Sequence, residues 1–490
     1  MEKSPRAQSR SVSAPPKPAP AVSLVERPAV KPAGPVPARE LGWLPDCVYT
    51  GEKFEAGMAF FADAHGRIAR FSREPKDLAI ARRLPGQAAL PGFVNGHSHA
   101  WHRAIRGRAE ARSRNAAEPL GAWYDALARA ASGLTGEEIF DTARMAFLEM
   151  LASGITCVGE FHDLHHQPDG TPWPEPNFLA QEILRAAHDV GIRLALFQVA
   201  NASGGPARTV TASADQFVRN TEALRGFIEK NFPADEAWLG VAASGVGAVP
   251  PDFLKALATY AHAQKLRVHM QVSERAADNE ACLAAHGRTP VALLAERGLV
   301  DKRFTAVNAI HLTDDDIKTL GAARAAVCAC PTSARNLGLG VTPIEKLLAA
   351  GAIVALGSDT QVQIDLLEDA RLLEYSLRIA RGQRAVLAPD AVTPLFHAAT
   401  FAGARSLGAT GGALEVGRPA DFFTVNLFDP SIAGAEPGAL LPNIVFSLER
   451  RAIREVWIGG RQLVVNGRHA QQGPIVGRFV DSQRRLWAAT

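Results

Sequence analysis

The run Leu90-Pro91-Gly92-Phe93-Val94-Asn95-Gly96-His97-Ser98-His99 ends an apolar, β-prone stretch in two imidazoles one residue apart. Alternate side chains of an extended strand leave the same face, so His97 and His99 emerge together. Two neutral imidazoles aimed at one point are good donors for a divalent metal. Taken alone, the pair reads equally well as surface or capping histidines after a buried strand. A second stretch carries the complementary group: Ile353, Ala355, Gly357 and Asp359 share a strand face, and Asp359 ends it in Gly357-Ser358-Asp359. A carboxylate there can join the histidines around a metal and accept a proton from water. A lone aspartate after a strand is more often a helix cap. Its co-occurrence with the His-x-His pair favours the metal reading.

The elements between these groups have to bring them together. Strand-like runs recur at residues 93–97, 155–161, 193–199, 238–243, 267–272, 304–309, 325–330 and 352–357. Helical periodicity lies between most of them, at 136–152, 178–190, 251–264 and 313–320. Eight strands alternating with helices predict an α/β fold, a closed (β/α)8 TIM-type barrel over residues 91–411. In that fold chemistry sits at the C-terminal strand ends, where His97 and His99 fall. A doubly wound open sheet is the alternative. Short β pieces flank the barrel, at 58–61 and 68–71 on one side and at 420–425, 455–458 and 462–465 on the other. Asp63-Ala64-His65-Gly66, Gly459-Gly460 and Asn466-Gly467 supply their turns. Both ends, 41–90 and 412–480, are expected to join into one small composite β-sandwich domain that receives the barrel as an insertion. Residues 1–40 are rich in Pro and Ala with hardly any large apolar side chain, and are expected to be a disordered tail.

The 490 residues include 53 basic and 50 acidic ones for a net charge of +3, which leaves no electrostatic footprint for nucleic acid or an acidic membrane. Apolar content of 47% and charged content of 21% suit a soluble globular protein. No apolar run is long enough to span a bilayer. The five cysteines form no Cys-x-x-Cys pair, so a reducing, cytoplasmic setting is expected. Cys328 and Cys330 read as part of a buried strand.

The His-x-His string resembles the first-strand signature of the amidohydrolase superfamily. Further stretches sharpen the resemblance to the formimidoylglutamate deiminases: His97 to Ala104, Gly159 to His166 with Pro168-Asp169-Gly170, Val268 to Glu274, Cys330-Pro331-Thr332 with Asn336-Leu337-Gly338, and Gly357-Ser358-Asp359. The resemblance implies one divalent metal, zinc, that activates water for attack on a formimino carbon with release of ammonia. It implies His97, His99, the position of Gln271 and Asp359 as metal ligands, with Glu274 shuttling protons and Asp359 acting as base. It also implies a small-molecule substrate bearing an amidine or amino group, and possible homodimers.

The sequence departs from the pattern at several of these positions. Gln271 stands where the family has the third ligand histidine, and an amide oxygen is a weaker donor for zinc than imidazole. His269 shares its parity but lies roughly 6.5 Å deeper along the strand. Asn308 replaces the sixth-strand histidine and cannot carry a proton near neutrality. Asp163, Ser244 and Gly247 replace a tyrosine, a histidine and an arginine of substrate recognition, which disfavours a glutamate-like dicarboxylate. His102 and His162 are further pocket candidates, His102 as a replacement acid or base and His162 as a spare ligand. Two readings follow: a metal-dependent hydrolase of non-peptide C–N bonds with impaired or redirected chemistry, or an inactive paralogue that acts as a binding or partner subunit.

Overall fold

In this computed structural model the described residues are 40–111, 120–202, 206–211 and 213–488. The expected tail, residues 1–40, lies outside them except for Glu40, which pairs with Arg70. Eight parallel strands, Phe93–Ser98, Ile155–His162, Arg193–Ala200, Ala237–Ala243, Val268–Val272, Phe304–Asn308, Ala326–Ala329 and Ile353–Leu356, pair in chain order. Almost every residue in them is buried, as expected when helices cover one face of each strand and barrel neighbours the other. The first and last strands meet beyond their formal ends, where Ser98 bridges to Asp359. The eight strands therefore form a nearly closed barrel.

The barrel helices begin and end where local chemistry dictates. Gly136–Ala152 starts at a capping box in which Thr135 and Glu138 satisfy each other's backbone donors. Phe178–Val190 stops at Gly191, whose φ of 89° admits the left-handed turn into the third strand. Both coincide with the ranges expected from periodicity.

The two ends of the chain share a second sheet of nine strands. Arg82–Pro91, from the N-terminal part, pairs antiparallel with Phe422–Asn426 from the C-terminal part, and Pro91 leads straight into the first barrel strand. Trp43 anchors this sheet's core, its ring 5.3 Å from Phe60 and 5.1 Å from Phe422. A buried ion pair ties sheet to barrel: Arg193 donates from Nε and Nη2 to Asp421 at 2.7 and 3.0 Å. Two helices in the C-terminal stretch, Pro437–Ser447 and Gln472–Leu486, were not anticipated. The second of them lies against Gly136–Ala152, and its Arg485 pairs with Glu138. Among the described residues no helix is long and apolar enough to cross a membrane.

Candidate metal centre

Closure of the barrel is what brings Asp359 to the two imidazoles. Asp359 donates its backbone N–H to the His97 carbonyl at 3.0 Å, and His99 donates its own to the Asp359 carbonyl at 3.1 Å. Below this pair Asn95 stands in for ladder bonds, accepting from the Ser358 amide at 3.0 Å and donating to its hydroxyl at 2.7 Å. Gly357 is required here because a Cβ would lie 2.9 Å from the Cβ and carbonyl oxygen of His97.

The strand register is held by a buried polar chain. Gln361 donates to the Ser98 hydroxyl at 2.8 Å, and Ser98 donates to Glu160 at 2.7 Å. The other oxygen of Glu160 accepts the Ala100 amide at 2.6 Å. Glu160 thus grips the residues on either side of His99. Burial pushes its carboxyl up to about 8, against the lowering effect of these two bonds. Sequence reasoning assigned Glu160 no role; the available signal was a carboxylate inside the apolar run 155–161.

His97, His99 and Asp359 are all buried, and they converge. Asp359 Oδ1 lies 3.6 Å from His97 Nε2 and 3.7 Å from His99 Nε2. Among the described residues, none of the four ring nitrogens has a hydrogen-bond partner. These separations exceed a hydrogen bond yet approach the roughly 3.3 Å edge of a tetrahedron built on zinc bonds of about 2.0–2.1 Å. Orphaned buried nitrogens at that spacing, facing a carboxylate, fit a divalent ion. Burial alone would raise the Asp359 carboxyl, but His97 and His99 hold it below the usual range. Burial lowers His97 despite Asp359, whereas for His99 the nearby Asp163 overcomes burial and brings the ring to about 8.

The remaining candidates divide. Ser273, Asn308 and Asp359, at the ends of three barrel strands, all have left-handed φ, at 50°, 64° and 45°. Such strain in residues other than glycine gathers where a site needs side chains re-aimed. Asn308 donates from Nδ2 to Glu274 at 3.0 Å. Burial, then Asp359 and Asp278, raise the Glu274 carboxyl. Gln271 is half-buried at its strand end, and no hydrogen bond among the described residues fixes it to Asp359 or to either imidazole. His269 lies deeper, its ring stacked 3.7 Å from Phe197 and its Nε2 3.3 Å from the Ser406 carbonyl.

His102 stacks parallel on His99, 4.4 Å between centroids, and burial takes its pKa down to about 3. Asp163 accepts the Trp101 indole N–H at 2.8 Å and turns its other oxygen to His99 Nδ1, 3.6 Å away. His162 packs on His165 and belongs to neither group of converging donors. Ser244 is half-buried after the fourth strand. Gly247, in the short turn Val246–Ala248, lines a cleft of about 290 Å³ with His286 and Arg297 that none of the converging donors lines.

Residues 88–463 match the model of the Amidohydrolase family. A formimidoylglutamate deiminase of Pseudomonas aeruginosa is 33% identical over 437 residues, covering 88% of this chain and 96% of its own. A 5-methylthioadenosine/S-adenosylhomocysteine deaminase of Desulforudis audaxviator is 28% identical, covering 78% and 82%. The crystal structure of an amidohydrolase from Brucella melitensis superposes with a TM-score of 0.84 at 28% identity, over 91% of this chain and all of that one. That of an adenosine deaminase from Xanthomonas campestris with bound zinc does so at 0.79 and 21%, over 92% and 99%, a likeness of fold.

Proposed function

The chain belongs to the amidohydrolase family, and from that premise we propose that it is a metal-dependent hydrolase of non-peptide C–N bonds, of the deaminase or deiminase type. The observation that carries this reading is the convergence of His97, His99 and Asp359 with their ring nitrogens unsatisfied. These three residues would hold a divalent ion, and Gln271, near the end of the fifth barrel strand, would be the fourth donor. A zinc ion bound there supplies the Lewis acidity that lets water attack an amidine or amino-bearing carbon near neutral pH.

The chain's own groups handle the protons. Asp359, held ionised beside the histidines, is placed to accept one. Glu274, kept protonated by burial and two nearby carboxylates, is placed to give one to the departing amine. Asn308 orients Glu274 through its amide and has no proton to pass, so transfer rests on fewer groups than in relatives with a histidine there. The pocket also argues for another substrate than formiminoglutamate. Asp163, whose charge is stabilised by His99 and Trp101, would repel a dicarboxylate, and Ser244 and Gly247 offer no cationic fork. A neutral or cationic amino-heterocycle, amidine or guanidine fits better.

Elemental analysis together with an ammonia-release screen over those compound classes tests the reading. The expected result is stoichiometric zinc and a turnover that Asp359→Asn abolishes; zinc near zero after zinc-supplemented expression refutes it. The Asn308–Glu274 hydrogen bond favours a second reading, a non-catalytic relative in which the shuttle is tied down. Ammonia release by the wild-type protein above that of zinc in buffer rules it out.

A further inference from the structure

His99 has a carboxylate at each ring nitrogen: Asp359 is 3.7 Å from Nε2, and Asp163 is 3.6 Å from Nδ1. On the Asp163 side a third donor is in reach, because ligand atoms of His99, His102 and Asp163 all lie within 4.8 Å of one another. We propose that His99 Nδ1, His102 and Asp163 form a second divalent-cation site, distinct from the one built on His97 and Asp359.

Four features support it. An imidazolium–carboxylate pair closes to about 2.7–2.9 Å, whereas 3.6 Å is near the spacing of two donors around one small ion. His102 is 4% exposed and its Nδ1 has no hydrogen-bond partner among the described residues, a costly arrangement for a buried polar atom. The Asp163 carboxylate is already oriented, since Trp101 Nε1 occupies Oδ1 and leaves Oδ2 facing His99. That is the outer support which metal-binding carboxylates generally have. Finally, the donor set of two imidazoles and one carboxylate duplicates the first site and suits zinc or a similar transition cation.

Coordination asks one adjustment of the resting structure. The rings of His99 and His102 lie within 2° of parallel, so their lone pairs run side by side. His102 must turn about its side-chain bonds to converge on the ion, and no bond at Nδ1 resists that turn. Filling both sites together would require His99 to offer both ring nitrogens, and its remaining N–H proton would have to leave to solvent.

The inference stands apart from the hydrolytic reading because neither His97 nor Asp359 contributes to it. It is tested on the full-length chain by elemental analysis and by zinc titration against a chromophoric chelator. The His97→Ala/Asp359→Asn variant, which lacks the first site, is expected to keep one zinc per chain. Adding Asp163→Asn and His102→Gln should remove it. Trp101→Phe in the same background should weaken binding by roughly 10–100-fold, the usual effect of losing an outer support. A His97→Ala/Asp359→Asn protein with wild-type circular dichroism and melting temperature that binds no zinc overturns the proposal. Should that variant fail to fold, cobalt stoichiometry decides: two equivalents are expected in the wild type and one in Asp163→Asn/His102→Gln, and an unchanged count overturns it.

Discussion

Glu160 offers a pH signature that can be worked out in advance. Its carboxyl is wholly buried and raised from the ordinary 4.5 to about 8, chiefly by burial. The folded chain therefore holds this proton more tightly than the unfolded chain. The stability that this adds is complete below about pH 4.5 and is lost as pH climbs through about 8. A displacement of roughly 3.5 pH units is worth about 5 kcal/mol at 1.36 kcal/mol each. With an unfolding entropy of about 2.1 cal/mol/K per residue, roughly 1 kcal/mol/K for this chain, the melting temperature should fall by about 5 °C between pH 5 and pH 9 on account of Glu160 alone. Glu274 and Asp369, also raised, add losses of the same sign. The isolating perturbation is Glu160→Gln, which keeps the side-chain volume and cannot ionise. Scanning calorimetry of both proteins at one scan rate across that range measures the difference. A difference curve that is flat with pH would show that Glu160 does not titrate in the window, and the account of its burial would be wrong.

Other consequences can be measured on single variants. Asp421→Ala strips Arg193 of a bidentate partner while leaving its charge in the barrel wall, so it should destabilise by about 3–5 kcal/mol, read as a melting temperature lower by several degrees; an unchanged melt refutes the junction role. Gly357→Ala forces a methyl to within 2.9 Å of His97 and should separate the first and last strands, seen as loss of zinc binding in a protein with native far-UV circular dichroism. Gln271→His supplies an imidazole in place of a weak amide donor and should tighten zinc binding at least about tenfold in chelator competition, a gain of roughly 1.4 kcal/mol. No gain would mean that position 271 does not face the ion.

The barrel was legible because its signals are periodic and local. The eight strands fall within one or two residues of their expected bounds, and the Gly136–Ala152 and Phe178–Val190 helices coincide with theirs. Strand parity also sufficed to pair Asp359 with His97 and His99, since barrel closure leaves little freedom at a strand end. What parity could not show was anything fixed by tertiary contact alone. Glu160 looked like one charge in an apolar run until Ser98 and Ala100 were seen to bond to it. His102 read as a replacement acid or base, and only the fold reveals that its imidazole stacks on His99 and that the Trp101 indole orients Asp163. Gln472–Leu486 was missed for a similar reason: most of it fell within the range read as β domain, and its tie to the barrel runs through Arg485, which finds Glu138 some 350 residues earlier in the chain.

The two classes of residue around the metal centre have not changed together, and that bears on what the protein does. The positioning machinery is present throughout: Asn95 and Ser358 lock the closing strands, Gly357 clears space for His97, and Glu160 grips both sides of His99. Such a network costs stability, since Glu160, Asp359 and the orphaned imidazoles are all taken out of water. A barrel relieved of metal chemistry could exchange those groups for apolar ones of similar volume at little cost or at a gain. The departures from the expected pattern fall instead at Gln271, Asn308, Ser244 and Gly247, the positions to which the resemblance assigns a metal ligand, a catalytic histidine and substrate recognition. Asp163, which differs from the expected pocket, brings a new donor within reach of His99 and His102 rather than an inert side chain. A weaker donor at position 271 together with a new carboxylate beside His99 is what a redistributed metal centre requires, and simple decay of the site would not supply the second. The balance of these changes favours altered chemistry over absent chemistry, and ammonia release by the wild-type protein above that of zinc in buffer is the measurement on which that preference turns.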